Sequence, residues 1–173
     1  MRQISRIYLR VFLIMGLGFA ILNEVLNFAL GLDFHLYRFV FNFIIFGGIM
    51  SWLLVSINKS QLRMNGITKL TDENTGLKYQ KKIISDLSQK ELLNAIKEKE
   101  YFSGANIKIN GNNVIIYLKK GHVSWGELIT INSKEVEAGK NEFLIISKPR
   151  FLFTLLDGGA NYTNVRKIVD LLG

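Results

Sequence analysis

The sequence predicts a membrane protein: a two-helix transmembrane hairpin followed by a small α+β domain of mostly antiparallel sheet with two helices. Three observations carry that prediction. Val11–Leu32 and Phe39–Ile57 are apolar runs of 22 and 19 residues, separated by only six. From Ile107 onward, apolar residues alternate with polar ones in several short runs, the period of half-buried strands. Helix-start signals, Ser88 with Glu91 and then Asn161, place one helix before those runs and one after them. The expected organisation is a tail and hairpin over 1–58, a linker over 59–76 and an α+β domain over 77–173.

Each apolar run is long enough to cross roughly 30 Å of hydrocarbon at about 1.5 Å per residue. The second run carries no charge, whereas the first contains Glu24 between Asn23 and Asn27. Its 13 Leu, Ile, Phe and Val residues contribute roughly −4 to −8 kcal/mol toward insertion. A central acid costs about 3 kcal/mol, so hydrophobicity still wins. The connection Asp33–Arg38 is too short to hold a domain, which makes the helices antiparallel neighbours. Arg2, Arg6 and Arg10 precede the first span, and Lys59, Arg63 and Lys69 follow the second. The loop offers only Arg38, offset by Asp33, so the positive-inside rule places both termini in the cytoplasm. A cleaved secretory signal ending near Ala29-Leu30-Gly31 is the competing reading; the apolar run is too long for it, and a full second span follows.

Gly16, Ala20, Asn23, Asn27 and Gly31 recur at three- and four-residue steps and share one helix face, with Glu24 at its edge. Small residues permit close helix approach, and asparagines hydrogen-bond across the contact. Folding the hairpin about Asp33–Arg38 is expected to bring Glu24 near Gly47 and Gly48, and Ala20 near Ser51. The polar face Asn23, Glu24, Asn27 then serves either as packing or, in several assembled copies, as an ion or proton relay.

Net charge is +8, of which the residues after position 58 contribute +6. A basic domain held at the inner leaflet is attracted by anionic lipid. Nucleic acid is disfavoured, because no zinc-finger spacing, RNP-type aromatic run or GxxG loop is present. With no cysteine, disulfides and thiol chemistry are excluded.

Within 59–76, Asn65-Gly66 and Asp72 to Gly76 read as turns. Leu77–Ile84 reads as an edge strand. Ser88 and Glu91 form a capping box for a helix over Gln89–Lys99 that buries Leu92, Leu93 and Ile96. Ile107 and Ile109 lead into a hairpin turn at Asn110-Gly111-Asn112-Asn113, answered by Val114–Leu118. Gly121 breaks the chain, Val123–Ile131 forms the next strand, and Gly126 beside Trp125 marks a bulge. Strands over Phe143–Ser147 and Phe151–Leu156 follow, and Asn161 caps a helix over Tyr162–Leu172 whose buried stripe is Val165, Ile168, Val169 and Leu172. A meander with helices on one face buries these rows. A curved sheet closed by the last helix, resembling the layout of a pleckstrin-homology-type roll, is one form of it.

No catalytic residue, cofactor site or metal site emerges. His35 and His122 fall in separate loops on opposite sides of the expected membrane, and HExxH, P-loop and GxSxG motifs are absent. Glu135 and Glu137 are expected on one face of an edge strand, where such pairs are solvated. The densest polar cluster is Ser147-Lys148-Pro149-Arg150, Thr154 and Asp157 to Asn164, and the candidate anion or partner site within it is Lys148, Arg150, Asp157, Gly158, Gly159 and Asn161. As structure, it is a turn and a helix cap; as a site, it is a glycine turn feeding a helix N-terminus, where backbone N–H groups receive an anion or partner. The leading functional expectation is a membrane-anchored, non-catalytic binding or regulatory module meeting anionic lipid, a protein partner or a second copy. A subunit of an oligomeric transport or ion-handling assembly using Glu24, and a membrane-bound enzyme without a recognisable motif, are the alternatives.

Overall fold

The computed structural model describes residues 2–69, 71–119, 126–151 and 154–173. The chain divides into two compact units, Met1–Ser60 and Gln61–Gly173.

In the first unit, helix α1 (Arg2–Ala29) and helix α2 (Leu36–Met64), up to Ser60, run antiparallel. Both are long and apolar enough to cross a membrane. Their outward surfaces are apolar side chains left exposed, Phe28 by 81% and Trp52 by 65%. Between them the contact is close: a Cβ on Gly16 would lie 2.6 Å from the Phe43 carbonyl oxygen and 3.2 Å from the Gly47 Cα. Only glycine permits that approach. Phe12 and Phe43 meet edge to face, and Phe19 stacks on Phe46.

The expected register is corrected. Gly47 lies against Phe12 and Gly16, not Glu24. Because α2 begins at Leu36, three residues before the apolar run read from sequence, the loop is Leu30–His35 and Arg38 falls in the first turn of α2. Moving the loop centre toward the N-terminus slides every facing pair by about two helical turns. The linker shortens as well, since α2 continues to Met64 and Asp72–Thr75 forms a one-turn helix, α3, capped reciprocally by Thr71 and Asn74. The Asn65-Gly66 turn is present, with Gly66 at φ +73°.

The second unit holds one antiparallel sheet of five strands in the order β1-β5-β4-β3-β2. These are β1 (Tyr79–Ser85), β2 (Asn106–Asn110), β3 (Asn113–Tyr117), β4 (Glu127–Glu137) and β5 (Lys140–Pro149). Strands β2 to β5 form the expected meander, and β1 is the expected edge strand, added beside β5. Among the described residues the sheet keeps two edges and does not close into a roll.

Helix α4 (Gln89–Glu98) starts at the predicted capping box, with Ser88 and Glu91 satisfying each other's backbone donors. Its Leu92, Leu93 and Ile96 join Val165 and Ile168 of α5 (Ala160–Val169) against Ile116, Ile129, Ile131, Phe143 and Ile145 of the sheet. The core therefore lies between one face of the sheet and the two helices. The opposite face carries the alternate residues of each strand.

Several strand expectations change. Gly121, His122 and Val123–Trp125 lie outside the described residues; β4 begins at Glu127, and Gly126 precedes it at φ +93° rather than bulging within it. The bulge sits between Glu135 and Glu137, which breaks the alternation that would have put both on one face, and β4 is an interior strand. Pro149 ends β5, and of the following segment Phe151 and Thr154–Leu156 are not strand; Thr154 N–H turns back to the Phe151 carbonyl at 3.2 Å. Leu152 and Phe153 lie outside the described residues. Helix α5 begins at Ala160, and its N-cap is Gly159 in the left-handed region at φ +77°, not Asn161.

Candidate functional site

The polar groups of the hairpin face one another. Arg38 Nε and Nη2 donate to the two carboxylate oxygens of Glu24 at 2.8 and 2.9 Å, and Arg38 Nη2 also donates to the Asp33 carbonyl at 2.9 Å. A two-pronged guanidinium–carboxylate pair is the strongest arrangement available to these charges, and it suits an apolar setting in which either charge alone would be costly. Beside it, Asn23 Oδ1 accepts from Asn27 Nδ2 at 2.9 Å and from Asn42 Nδ2 at 3.0 Å. Asn23, Glu24 and Asn27 lie within two turns of α1, with Arg38 and Asn42 as partners that the misplaced loop concealed. The arrangement ties the loop end of the hairpin, and both Glu24 oxygens are engaged.

In the second unit the turn before α5 is built around a carboxylate. Asp157 is 4% exposed. Its Oδ1 accepts from the Gly159 N–H at 3.1 Å, and its Oδ2 accepts from the Asn161 N–H at 3.1 Å and from Asn161 Nδ2 at 2.7 Å. The Ala160 N–H donates to the Asp157 carbonyl at 3.0 Å. Asp157 therefore caps the helix from two residues before the N-cap, and the donors that would hold an external anion already hold an internal one. Burial raises the Asp157 pKa from its ordinary value, and the bonds from Asn161 and Gly159 oppose the rise without cancelling it. Gly158 and Gly159 take φ of +61° and +77°, which side-chain-bearing residues rarely adopt. A Cβ on Gly159 would also sit 2.6 Å from Ile67 Cδ1.

Asn161, freed from capping, occupies the second helical position with its side chain fully buried. Its Nδ2 also donates to the Leu77 carbonyl at 2.8 Å, and its Oδ1 accepts from Ser147 Oγ at 2.7 Å. Ser147 Oγ accepts in turn from Asn164 Nδ2 at 3.2 Å, and Asn164 Oδ1 accepts from the Tyr101 hydroxyl at 2.5 Å. A continuous chain of hydrogen bonds thus runs from Tyr101 to Asp157, joining the 3₁₀ turn Glu100–Phe102, α5, β5 and the glycine turn. Burial is the main reason the Tyr101 pKa is pushed up to about 12. The Lys167 ammonium sits 3.5 Å from the centre of the Tyr101 ring, and burial lowers its pKa. Sequence reasoning missed Tyr101, and it placed Ser147 and Asn164 in the polar cluster without assigning them to the site. The available signals were Asn161 and Asn164 three apart on one helix face, and Ser147 in step with Phe143 and Ile145.

Lys148 and Arg150 do not join Asp157. Ser147 points into the core, so Lys148, the next residue in the strand, points to the other face of the sheet and is exposed. Arg150 is fixed just beyond β5 by its N–H bond to the Gly126 carbonyl at 3.0 Å, and its guanidinium lies 5.5 Å from the Tyr117 ring centre. Among the described residues no cluster of three or more His, Asp or Glu residues is arranged to hold a metal ion. No protein-family model, no curated protein and no solved structure matches this chain.

Proposed function

We propose that the protein is a membrane-anchored binding or regulatory module rather than an enzyme. In this reading α1 and α2 span the inner or plasma membrane with both termini cytoplasmic, and the basic domain meets anionic headgroups of the inner leaflet. One observation carries it: the two long helices turn exposed apolar side chains outward while Glu24, Arg38, Asn23 and Asn42 satisfy one another between them. That is the distribution a hydrocarbon solvent demands, since polar groups there must find internal partners. Orientation follows from the arginines before the apolar part of α1 and the lysines and arginine after the apolar part of α2. The non-catalytic reading is supported by two carboxylates described above. Glu24 is held by Arg38 and Asp157 by the α5 N-terminus, each with its oxygens engaged in structural bonds.

The experiment is cysteine accessibility in intact cells, on a chain that has no cysteine of its own. A cysteine at His35 should react with a membrane-impermeant thiol reagent, whereas cysteines at Ser5 and Ser133 should react only after lysis. Labelling at Ser133 without lysis overturns the topology, and with it the inner-leaflet reading.

A further inference from the structure

The sheet face turned away from α4 and α5 holds a concavity of about 330 Å³, lined by Gly104, Asn106, Lys108, Tyr117, Leu118, Lys119 and Arg150. The backbone explains why these residues converge. Asn106 pairs with Tyr117 across the β2–β3 ladder, and Lys108 follows two residues later, so all three project to one face. Leu118 is buried and bonds the Glu127 carbonyl through its N–H, which sends the next residue, Lys119, outward. The Gly126 carbonyl fixes Arg150 at the same end of the sheet.

The aromatic ring is the centre of the cluster. Lys108 Nζ and Arg150 Cζ lie 5.6 and 5.5 Å from the Tyr117 ring centre. Lys119 Nζ packs over Gly104, where an added Cβ would approach it to 3.1 Å, and Gly104 at φ +72° is a position that favours glycine on backbone grounds as well. Three cations thus line one concavity, and among the described residues no acidic one joins its wall. Like charges gathered without a counter-charge repel, and an anion in their midst reverses the sign of that interaction.

We propose that this concavity binds a phosphate monoester, with Arg150, Lys119 and Lys108 as its cationic ligands and the Tyr117 ring as its floor. A monoester carries about −1.5 to −2 charge near neutrality and three acceptor oxygens, which matches three cations better than a singly charged diester or carboxylate does. The guanidinium of Arg150 offers the paired N–H geometry that phosphate oxygens accept. The proposal gives a chemical class to the headgroup-binding reading above, yet every residue in it belongs to the Gln61–Gly173 unit, so it stands or falls separately from the topology.

The test uses the full chain in non-ionic detergent at constant ionic strength, titrated calorimetrically with glycerol 3-phosphate, inorganic phosphate, and mixed micelles containing phosphatidic acid or phosphatidylglycerol. Saturable one-to-one binding of the monoester probes is expected, weakened about tenfold to a hundredfold by Arg150→Ala or Lys119→Ala, retained by Lys119→Arg, and unchanged by Lys90→Ala on α4. Tighter binding of phosphatidic acid than of the soluble monoesters supports the proposal with a lipid as the source; equal or tighter binding of the soluble probes supports it with free phosphate as the source. Equal binding of phosphatidylglycerol and phosphatidic acid, wild-type affinity in both alanine variants, or no saturation by any monoester overturns it. Monoester binding that persists while Ser133 proves extracellular leaves the concavity standing and removes the inner leaflet.

Discussion

Asn161 contacts the Asp157 carboxylate twice, through its side-chain amide at 2.7 Å and through its own backbone N–H at 3.1 Å. The residue that the pattern marks as a helix cap is thus the donor, and the acid four residues earlier is the acceptor.

Substitutions at Asn161 should therefore not follow the ranking of a cap. Asn161→Ala strands Ser147 and the Leu77 carbonyl in a buried setting and should lower stability by about 2–3 kcal/mol, more than the ~1 kcal/mol of a surface cap. Asn161→Ser, conservative at a cap, should not rescue it. Asn161→Asp places a second carboxylate against Asp157 and should be the worst of the three near neutral pH. Melting of the full chain in detergent measures the order; an Asn161→Asp variant that melts like wild type would refute this account.

Acid stability should show two opposing contributions. Burial raises the Asp157 pKa in the folded state, so its contribution is fully present below the unfolded value and is lost as pH rises through the folded one. Glu91 behaves oppositely. The Ser88 backbone and hydroxyl hydrogen bonds lower its pKa, so its contribution is present above the unfolded value and is lost as pH falls through the folded one. Melting midpoints between about pH 3 and about pH 7 should lose a stabilising rise on acidification in Asp157→Asn, relative to wild type, and lose an acid-side decline in Glu91→Gln. Identical profiles for the two variants would contradict these assignments.

Glu24 and Arg38 should behave as a unit. Glu24→Leu leaves the Arg38 guanidinium without its carboxylate partner, and Arg38→Leu does the converse; each should lower helix-pair stability. The double replacement by leucine should recover most of that loss, because two apolar side chains need no partner. Thermal unfolding of the four proteins in one detergent completes the cycle. Additive losses in the double variant would show that the pair carries no coupling.

The two long helices, the capping box at Ser88, the hairpin turn at Gly111 and the burial of Val165 and Ile168 on α5 were legible in the sequence. In each case the information is local: hydrophobic period, cap chemistry and tolerance of positive φ all act within a few residues. The helix start at Leu36 was not legible, because Arg38 reads as a loop charge until Glu24 is seen beside it. Nor was the end of β5, where apolar residues after Pro149 imitate another strand.

By itself, then, the sequence determined which segments are apolar enough to span a membrane, the cap at Ser88, the turn at Gly111 and the alternation of the strands after it. Tertiary structure alone decided the partners: Glu24 with Arg38, β1 beside β5, Asn161 inside a hydrogen-bonded chain from Asp157 to Tyr101, and Arg150 beside Tyr117 with Lys108 and Lys119 instead of beside Asp157. The physical reason is range. Periodicity and capping are set by neighbours along the chain, whereas a buried polar group takes whichever partner the packing of distant segments brings within about 3 Å, and no local pattern encodes that choice.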